Sequence, residues 1–305
     1  MKLPPAFPAI TLFAAIIGTP AYAIEFLKGD KVALLGNTFI EREQKYGFIE
    51  MALTLSNPGK ELTFRNFGWS GDTVFGHSRS YFGPPSEGFE RLQKLVGQEK
   101  PTLILLYYGA NASYEGKAGL EKFLEGYGRL VNMLKEASGA RLAILSPLPQ
   151  EKLPPPMPSP GEHNAQLALY SKALEGFAKD QGIPFVDLFQ ALGGGKSKHL
   201  ANSPSPLTDN GLHLTEEGYR YAAKAIARAL GQSGGSPGRN AEQLRQTIIE
   251  KNELFFHMHR PQNETYLFGF RKHEQGNNAA EIPKFVPLIQ QKEQEVRKIL
   301  GSLSN

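Results

Sequence analysis

The chain has 305 residues with 40% hydrophobic side chains, enough for one α/β domain plus an extension around a packed core, which excludes a wholly disordered chain. It has no cysteine, which excludes a disulfide framework, a thiolate metal site and a cysteine nucleophile. The formal charge of +4 is dispersed among acids without a long basic block, so nucleic acid is not indicated as a partner.

In chain order, the N-terminus pairs Lys2 with the apolar run Ala14-Ala15-Ile16-Ile17 and ends in Ala21-Tyr22-Ala23, a small-x-small site suited to signal peptidase. Prolines at 4, 5 and 8 and the shortness of the run argue against a membrane span. Residues 1–23 are therefore expected to be a cleaved export signal, and the protein to be secreted or periplasmic. No later segment is long and apolar enough to cross a bilayer.

From Lys31 to Leu230 short apolar runs alternate with helical patterns. The runs 32–35, 62–66, 103–108, 142–145 and 185–187 have the length of buried strands, and 120–135, 164–179 and 216–230 carry apolar residues at helical spacing. This alternation predicts βαβ units and a parallel sheet covered on both faces. Ligands collect at the carboxyl ends of such strands, so the residues just after each run are the candidates for chemistry.

Four stretches meet that condition. Gly36-Asn37-Thr38 follows the first run and places a hydroxyl at a helix N-terminus, where unpaired N–H groups favour developing negative charge; taken alone, a Gly-Asn-Thr turn is usually a plain strand exit with a helix cap. Asn66-Phe67-Gly68-Trp69-Ser70-Gly71-Asp72-Thr73 follows the second, and its glycines let backbone N–H groups approach a ligand or simply make a tight turn. Gly109-Ala110-Asn111 offers a side-chain NH₂ or a turn residue. Asn210-Gly211-Leu212-His213 supplies an imidazole, the side chain best suited to serve as a general base near neutral pH. Between them, residues 149–161, with Pro154-Pro155-Pro156, read as a stiff surface loop, either a wall beside the site or a connector.

Taken in this order the four blocks resemble those of the SGNH (GDSL-like) hydrolase family over residues 28–230: Gly-Asp-Ser after the first strand, a glycine block, Gly-x-Asn, and Asp-x-x-His. The resemblance implies a three-layer α/β/α flavodoxin-like fold with a parallel sheet and an ester-hydrolysing site that needs no cofactor and no metal. It implies Thr38 at the nucleophile position, Gly71 and Asn111 as oxyanion donors, and His213 as the base. Two positions depart from the pattern. Thr38 stands where the family has serine, and its methyl group restricts χ1 and crowds the attacking oxygen. Asn210 stands where the family has aspartate; an amide can orient the imidazole but cannot stabilise imidazolium, and Asp209 is offset by one residue.

Three functions stay open on these residues. A Thr38–His213 dyad catalyses acyl transfer on an O-acetylated polysaccharide or a smaller ester, with Asp209 or a backbone carbonyl behind the imidazole. Alternatively the same pocket binds such a ligand without turnover, the rings of Trp69 and Tyr108 stacking on sugars. In the third, the extension binds a protein partner.

Residues 231–238 hold four glycines with serines and a proline, which places a boundary between a domain at 24–232 and a helical extension at 233–305. Leu244, Ile248, Ile249 and Phe256 share one helical face, and Phe285, Leu288, Ile289, Val296 and Leu300 another, so two helices are expected to flank 260–278 and to pack on the domain. His257, His259, His273 and Glu274 are metal-ligand types, but an aromatic clamp rimmed by charges is the better reading, because a His-x-His pair lies on different faces of a helix.

Overall fold

A computed structural model describes residues 24–195, 205–235 and 238–303, and the expected export signal lies outside them. Strands β1 (Lys31–Gly36), β2 (Thr63–Asn66), β3 (Leu103–Tyr107), β4 (Arg141–Leu145) and β5 (Phe185–Val186) form one sheet in the order β2-β1-β3-β4-β5. All four pairings are parallel. The strand order reverses between β1 and β3, the switch point where flavodoxin-like sheets open a crevice.

Alternation along the strands builds two cores. Val32 and Leu34 of β1 join Leu103, Leu105 and Tyr107 on one face, whereas Ala33 and Leu35 join Ile104 and Leu106 on the other. The first face is covered by α1 (Thr38–Tyr46), α2 (Phe48–Ser56) and, later in the chain, α7 (Glu216–Ala229). The second is covered by α3 (Pro85–Glu99), α4 (Leu120–Ser138) and α5 (Gly161–Asp180). A single turn, α6 (Leu188–Ala191), follows β5. The α/β/α layering expected from the alternating runs is therefore present.

The extension consists of α8 (Ala241–His259), the short turns α9 (Glu264–Leu267) and α10 (Lys272–Gln275), and α11 (Phe285–Leu303). Leu244 and Ile248 of α8 pack against Val296, Ile299 and Leu300 of α11, with Met51 and Leu55 of α2 beside them. Helix α8 also covers β2, the edge of the sheet, where the ladder would otherwise be open. Lys251 is buried there, paired with Glu50 and 3.4 Å from the carbonyl of Phe64, while Asn252 donates to the second oxygen of Glu50 at 3.1 Å. Arg65 of β2 bonds to Glu293 of α11 at 2.6 Å. Among the described residues no helix is long and apolar enough to cross a membrane.

The junction of α1 and α2 has a pH-sensitive element. Gly47 turns the chain at φ 67°, and the buried Glu43 carboxyl accepts the N–H groups of Ile49 at 2.6 Å and Glu50 at 3.1 Å, capping α2. Burial pushes its pKa up from 4.5 to about 8, against those two bonds, and the neighbouring Glu50 carboxylate adds to the rise. The folded chain thus holds a proton that the unfolded chain releases above about pH 4.5, so Glu43 lowers stability progressively as pH rises through that window to about 8. Glu43→Gln is expected to leave stability near pH 4.5 almost unchanged and to raise it near pH 8 by on the order of 1–4 kcal/mol. Urea melts of both proteins at the two pH values check this; parallel pH dependences would refute it.

Candidate active site

The carboxyl ends of β1, β2 and β3 are brought together by close backbone approach. A Cβ on Gly36 would lie 2.5 Å from the carbonyl of Tyr107, and one on Gly68 would lie 2.1 Å from the N of Glu41, so glycine at both lets the β1 and β2 exits close against their neighbours. Asn66 ties them: its amide donates to the carbonyl of Ile40 at 2.6 Å and its oxygen accepts Gly68 N–H at 2.8 Å. Trp69 N–H then donates to the carbonyl of Gly36 at 3.0 Å.

Asn37 is the N-cap of α1, its side chain accepting Phe39 N–H at 3.3 Å, which makes Thr38 the first helical residue. Its own N–H is one of those that a helix start leaves without an intrahelical acceptor. Thr38 is half-buried, and its Oγ1 accepts the N–H of Gly71 at 3.2 Å, where the chain turns at φ 74°. Two of the sequence-named residues, 33 positions apart, therefore touch.

Behind Gly71 stands a buried ion pair. Asp72 accepts from Arg79 Nε at 2.6 Å and from the Tyr108 hydroxyl at 2.9 Å, and Arg79 also donates to the carbonyl of Phe67 at 2.7 Å. This occupies Tyr108, which is 1% exposed. Trp69 is also buried, with the guanidinium of Arg260 3.6 Å over its ring. The expectation that these two rings stack on sugars is corrected accordingly: both are packed inside the molecule, Tyr108 against Asp72 and Trp69 under Arg260.

Asn111, exposed at the end of β3, donates its amide to the carbonyl of Asp72 at 3.3 Å. It sits beside the Gly71 loop, but with its NH₂ engaged. A cleft of about 100 Å³ opens next to it, walled by Val74, Phe75 and Phe123 and edged by His77.

His213 belongs to a turn closed by the bridge of Thr208 with Leu214, just before α7. Asn210 Oδ1 accepts the N–H groups of Leu212 at 3.0 Å and His213 at 2.9 Å, and its Nδ2 lies 3.3 Å from His213 Nδ1. Asp209 does not reach the imidazole; its carboxylate bonds to Arg42 at 2.8 Å, one helical turn beyond Thr38. That pair docks the histidine turn on α1, and Tyr219 of α7 adds a bond to the carbonyl of Phe39 at 2.6 Å. Desolvation lowers the His213 pKa, the nearby Arg42 charge lowers it further, and Asp209 partly opposes them. No hydrogen bond joins His213 to Thr38.

The sequence reading missed three supports. Glu151, inside the proline-rich segment, is buried and accepts from Leu207 N–H at 3.2 Å, Thr208 N–H at 2.8 Å and the Thr208 hydroxyl at 2.5 Å, so this segment braces the histidine turn. Arg42 carries no motif that marks it. Arg260, from the extension, bonds to Glu41 at 2.9 Å, and Glu41 accepts Ser70 N–H at 2.5 Å, so the extension holds the loop that carries Gly71. His257, His259, His273 and Glu274 do not converge: among the described residues no group of three or more acidic or histidine side chains is placed to hold a metal.

The GDSL-like lipase/acylhydrolase family matches residues 47–221, more than half of the chain, from after Thr38 through the histidine turn. A rice (Oryza sativa subsp. japonica) protein named GDSL esterase/lipase WDL1 is 25% identical over 202 residues, 58% of this chain and 76% of its own. A catalytic mutant of Axe2, an acetylxylan esterase from Geobacillus stearothermophilus, superimposes with a TM-score of 0.52 at 16% identity over 70% of this chain and 99% of that one. A gut microbial diltiazem-metabolizing enzyme superimposes with a TM-score of 0.54 at 18% identity over 69% of this chain but only 48% of its own, so this chain spans about half of that protein.

Proposed function

Because the chain belongs to the GDSL-like lipase/acylhydrolase family, we propose that it hydrolyses carboxylic esters through Thr38 and His213, acting outside the cytoplasm on acetyl groups of a polysaccharide. The observation that carries this reading is the Gly71 N–H held 3.2 Å from Thr38 Oγ1. A hydroxyl at a helix start and an oxyanion donor already lie in contact, which acyl transfer requires.

In the proposed cycle His213 takes the Thr38 proton as Oγ1 attacks the ester carbonyl carbon. The carbonyl oxygen, now negative, displaces Oγ1 from the Gly71 N–H and is also held by the Thr38 N–H. Asn111 joins them once its amide leaves the Asp72 carbonyl. Collapse expels the alcohol, which takes the proton from His213. Water, deprotonated by the same imidazole, then releases the carboxylic acid and restores Thr38. The ring has to close on Oγ1 when substrate enters, as catalytic hydrogen bonds do that are loose in an empty site. The small apolar cleft beside Asn111 suits a short acyl group, and the acetylxylan esterase with the same fold supports acetyl as that group.

One contact favours a second reading, binding without turnover: the amide of Asn210 against His213 Nδ1. Acetate release from p-nitrophenyl acetate and from acetylated xylan separates the two. Turnover is expected with both, and the acidic limb of kcat/KM is expected below pH 6.5, because burial and Arg42 disfavour the protonated ring and keep the base neutral at lower pH. Retention of the xylan with no acetate released above the uncatalysed rate would leave only the binding reading.

A further inference from the structure

The described surface has six exposed aromatic rings among its large hydrophobic residues, and four of them line one groove of about 840 Å³. Tyr81 and Phe82 come from the segment before α3, and Phe268 and Phe270 from the turn after α9. Phe82 is 83% exposed and Phe270 76%, a concentration of apolar surface that a soluble protein keeps for a ligand or partner.

Three features of the lining select the ligand's chemistry. Arg79 is already neutralised by buried Asp72, and Glu87, Glu90 and Glu264 face Arg91 and Lys94, with Arg91 paired to both Glu87 and Glu264, so only a small net charge is left, too little to draw a polyanion or a polycation. Two lining residues carry polar atoms without a protein partner: Arg91 Nε, a donor, and His259 Nε2. His259 Nδ1 donates to the carbonyl of Phe255 at 2.8 Å, and burial holds the ring neutral with its pKa pushed down to about 3, so Nε2 is an acceptor. Rings together with spare donors and acceptors and little net charge match a chain that is apolar on its C–H faces and hydroxylated at its edges, which describes a neutral polysaccharide. Finally, Trp69 lines the groove and stands two residues before Gly71, whose N–H meets Thr38 Oγ1, so the same loop serves the groove and the ester site.

We propose that this groove binds the backbone of a neutral polysaccharide whose acyl ester is presented to Thr38, which makes the C-terminal extension half of the substrate-binding surface. The inference rests on the ester-hydrolase reading above for the site at the groove's end. The backbone, not the acetyl group, is what the rings would read.

The test uses the full chain and a Phe268→Ala/Phe270→Ala variant, whose side chains are exposed enough to be removed without opening the core. Affinity electrophoresis in gels containing acetylated xylan, chemically deacetylated xylan or acetylated glucomannan measures binding, and p-nitrophenyl acetate measures the ester site separately. The wild type is expected to be retarded by at least one polysaccharide and equally by the two xylans, with affinity in the variant down about tenfold or more and p-nitrophenyl acetate turnover unchanged. Equal retardation of the two proteins, or no retardation by any of the three polymers, overturns the proposal. So does ring-dependent dimerisation in size-exclusion chromatography, which would make the groove an interface between copies. A wild type that binds xylan through these rings but releases no acetate leaves the groove standing and removes only the esterase.

Discussion

Thr38→Ala is expected to lower kcat/KM on p-nitrophenyl acetate by about a thousandfold or more, and His213→Ala by a similar factor. Alanine at 38 removes the oxygen that accepts the Gly71 N–H, and alanine at 213 removes the imidazole of the adjoining turn. Because the two groups act in one step, the double variant should be about as slow as either single one. Folding offers no competing explanation. Thr38 is half-buried and its hydroxyl accepts one bond, so its loss should cost no more than about 1 kcal/mol of stability, readable in the same denaturant series. Thr38→Ser carries the argument in the other direction: it keeps the oxygen, removes the methyl that restricts χ1, and should match or exceed the wild type. Rates for the alanine variants equal to wild type would end the proposal that this hydroxyl and this ring do the chemistry.

The sheet was legible because its strands are buried on both faces and read as continuous apolar runs, 103–108 most plainly, where Leu103 to Tyr107 pairs with both neighbours. The start of α1 at Thr38 was legible because a helix must follow β1 and Asn37 caps it, whereas the role of nucleophile came only from the family resemblance. What the sequence concealed was the use of polar and aromatic side chains once packed. Tyr108 and Trp69 are rings of a type that binds sugars, yet Asp72 and Arg260 had already taken them, and neither partner is near in sequence. Glu151 sits in a proline-rich segment that signals only stiffness, and its three bonds to the histidine turn arise from a contact across more than fifty residues. The extension announced two amphipathic helices. Its Arg260 contact, which steadies the loop carrying Gly71 through Glu41, left no periodic trace because it depends on a single residue.

Asn210→Asp is expected to raise kcat/KM by about a hundredfold or more, and the reason lies in which nitrogen of His213 holds the proton. Asn210 Oδ1 is fixed by the two backbone N–H groups of Leu212 and His213, so the amide nitrogen is the atom that faces the ring, 3.3 Å from Nδ1. An NH₂ group can only donate. Nδ1 then accepts in the resting site and the imidazole proton resides on Nε2, so that proton has to move to Nδ1 before the Nε2 lone pair can take the Thr38 proton, and the shift slows turnover. An aspartate in the same place would accept Nδ1–H, free the Nε2 lone pair and stabilise the imidazolium formed during attack; in the serine-protease template the reverse change costs about ten-thousandfold, which bounds the gain. The new carboxylate would also oppose the desolvation and the Arg42 charge that now depress the ring, so the acidic limb of the pH profile should move upward together with the rate. A faster enzyme with a limb shifted to higher pH would identify Asn210 as the brake on this site. An unchanged rate with an unmoved limb would mean that the proton on His213 does not limit turnover, and the tautomer argument would fall.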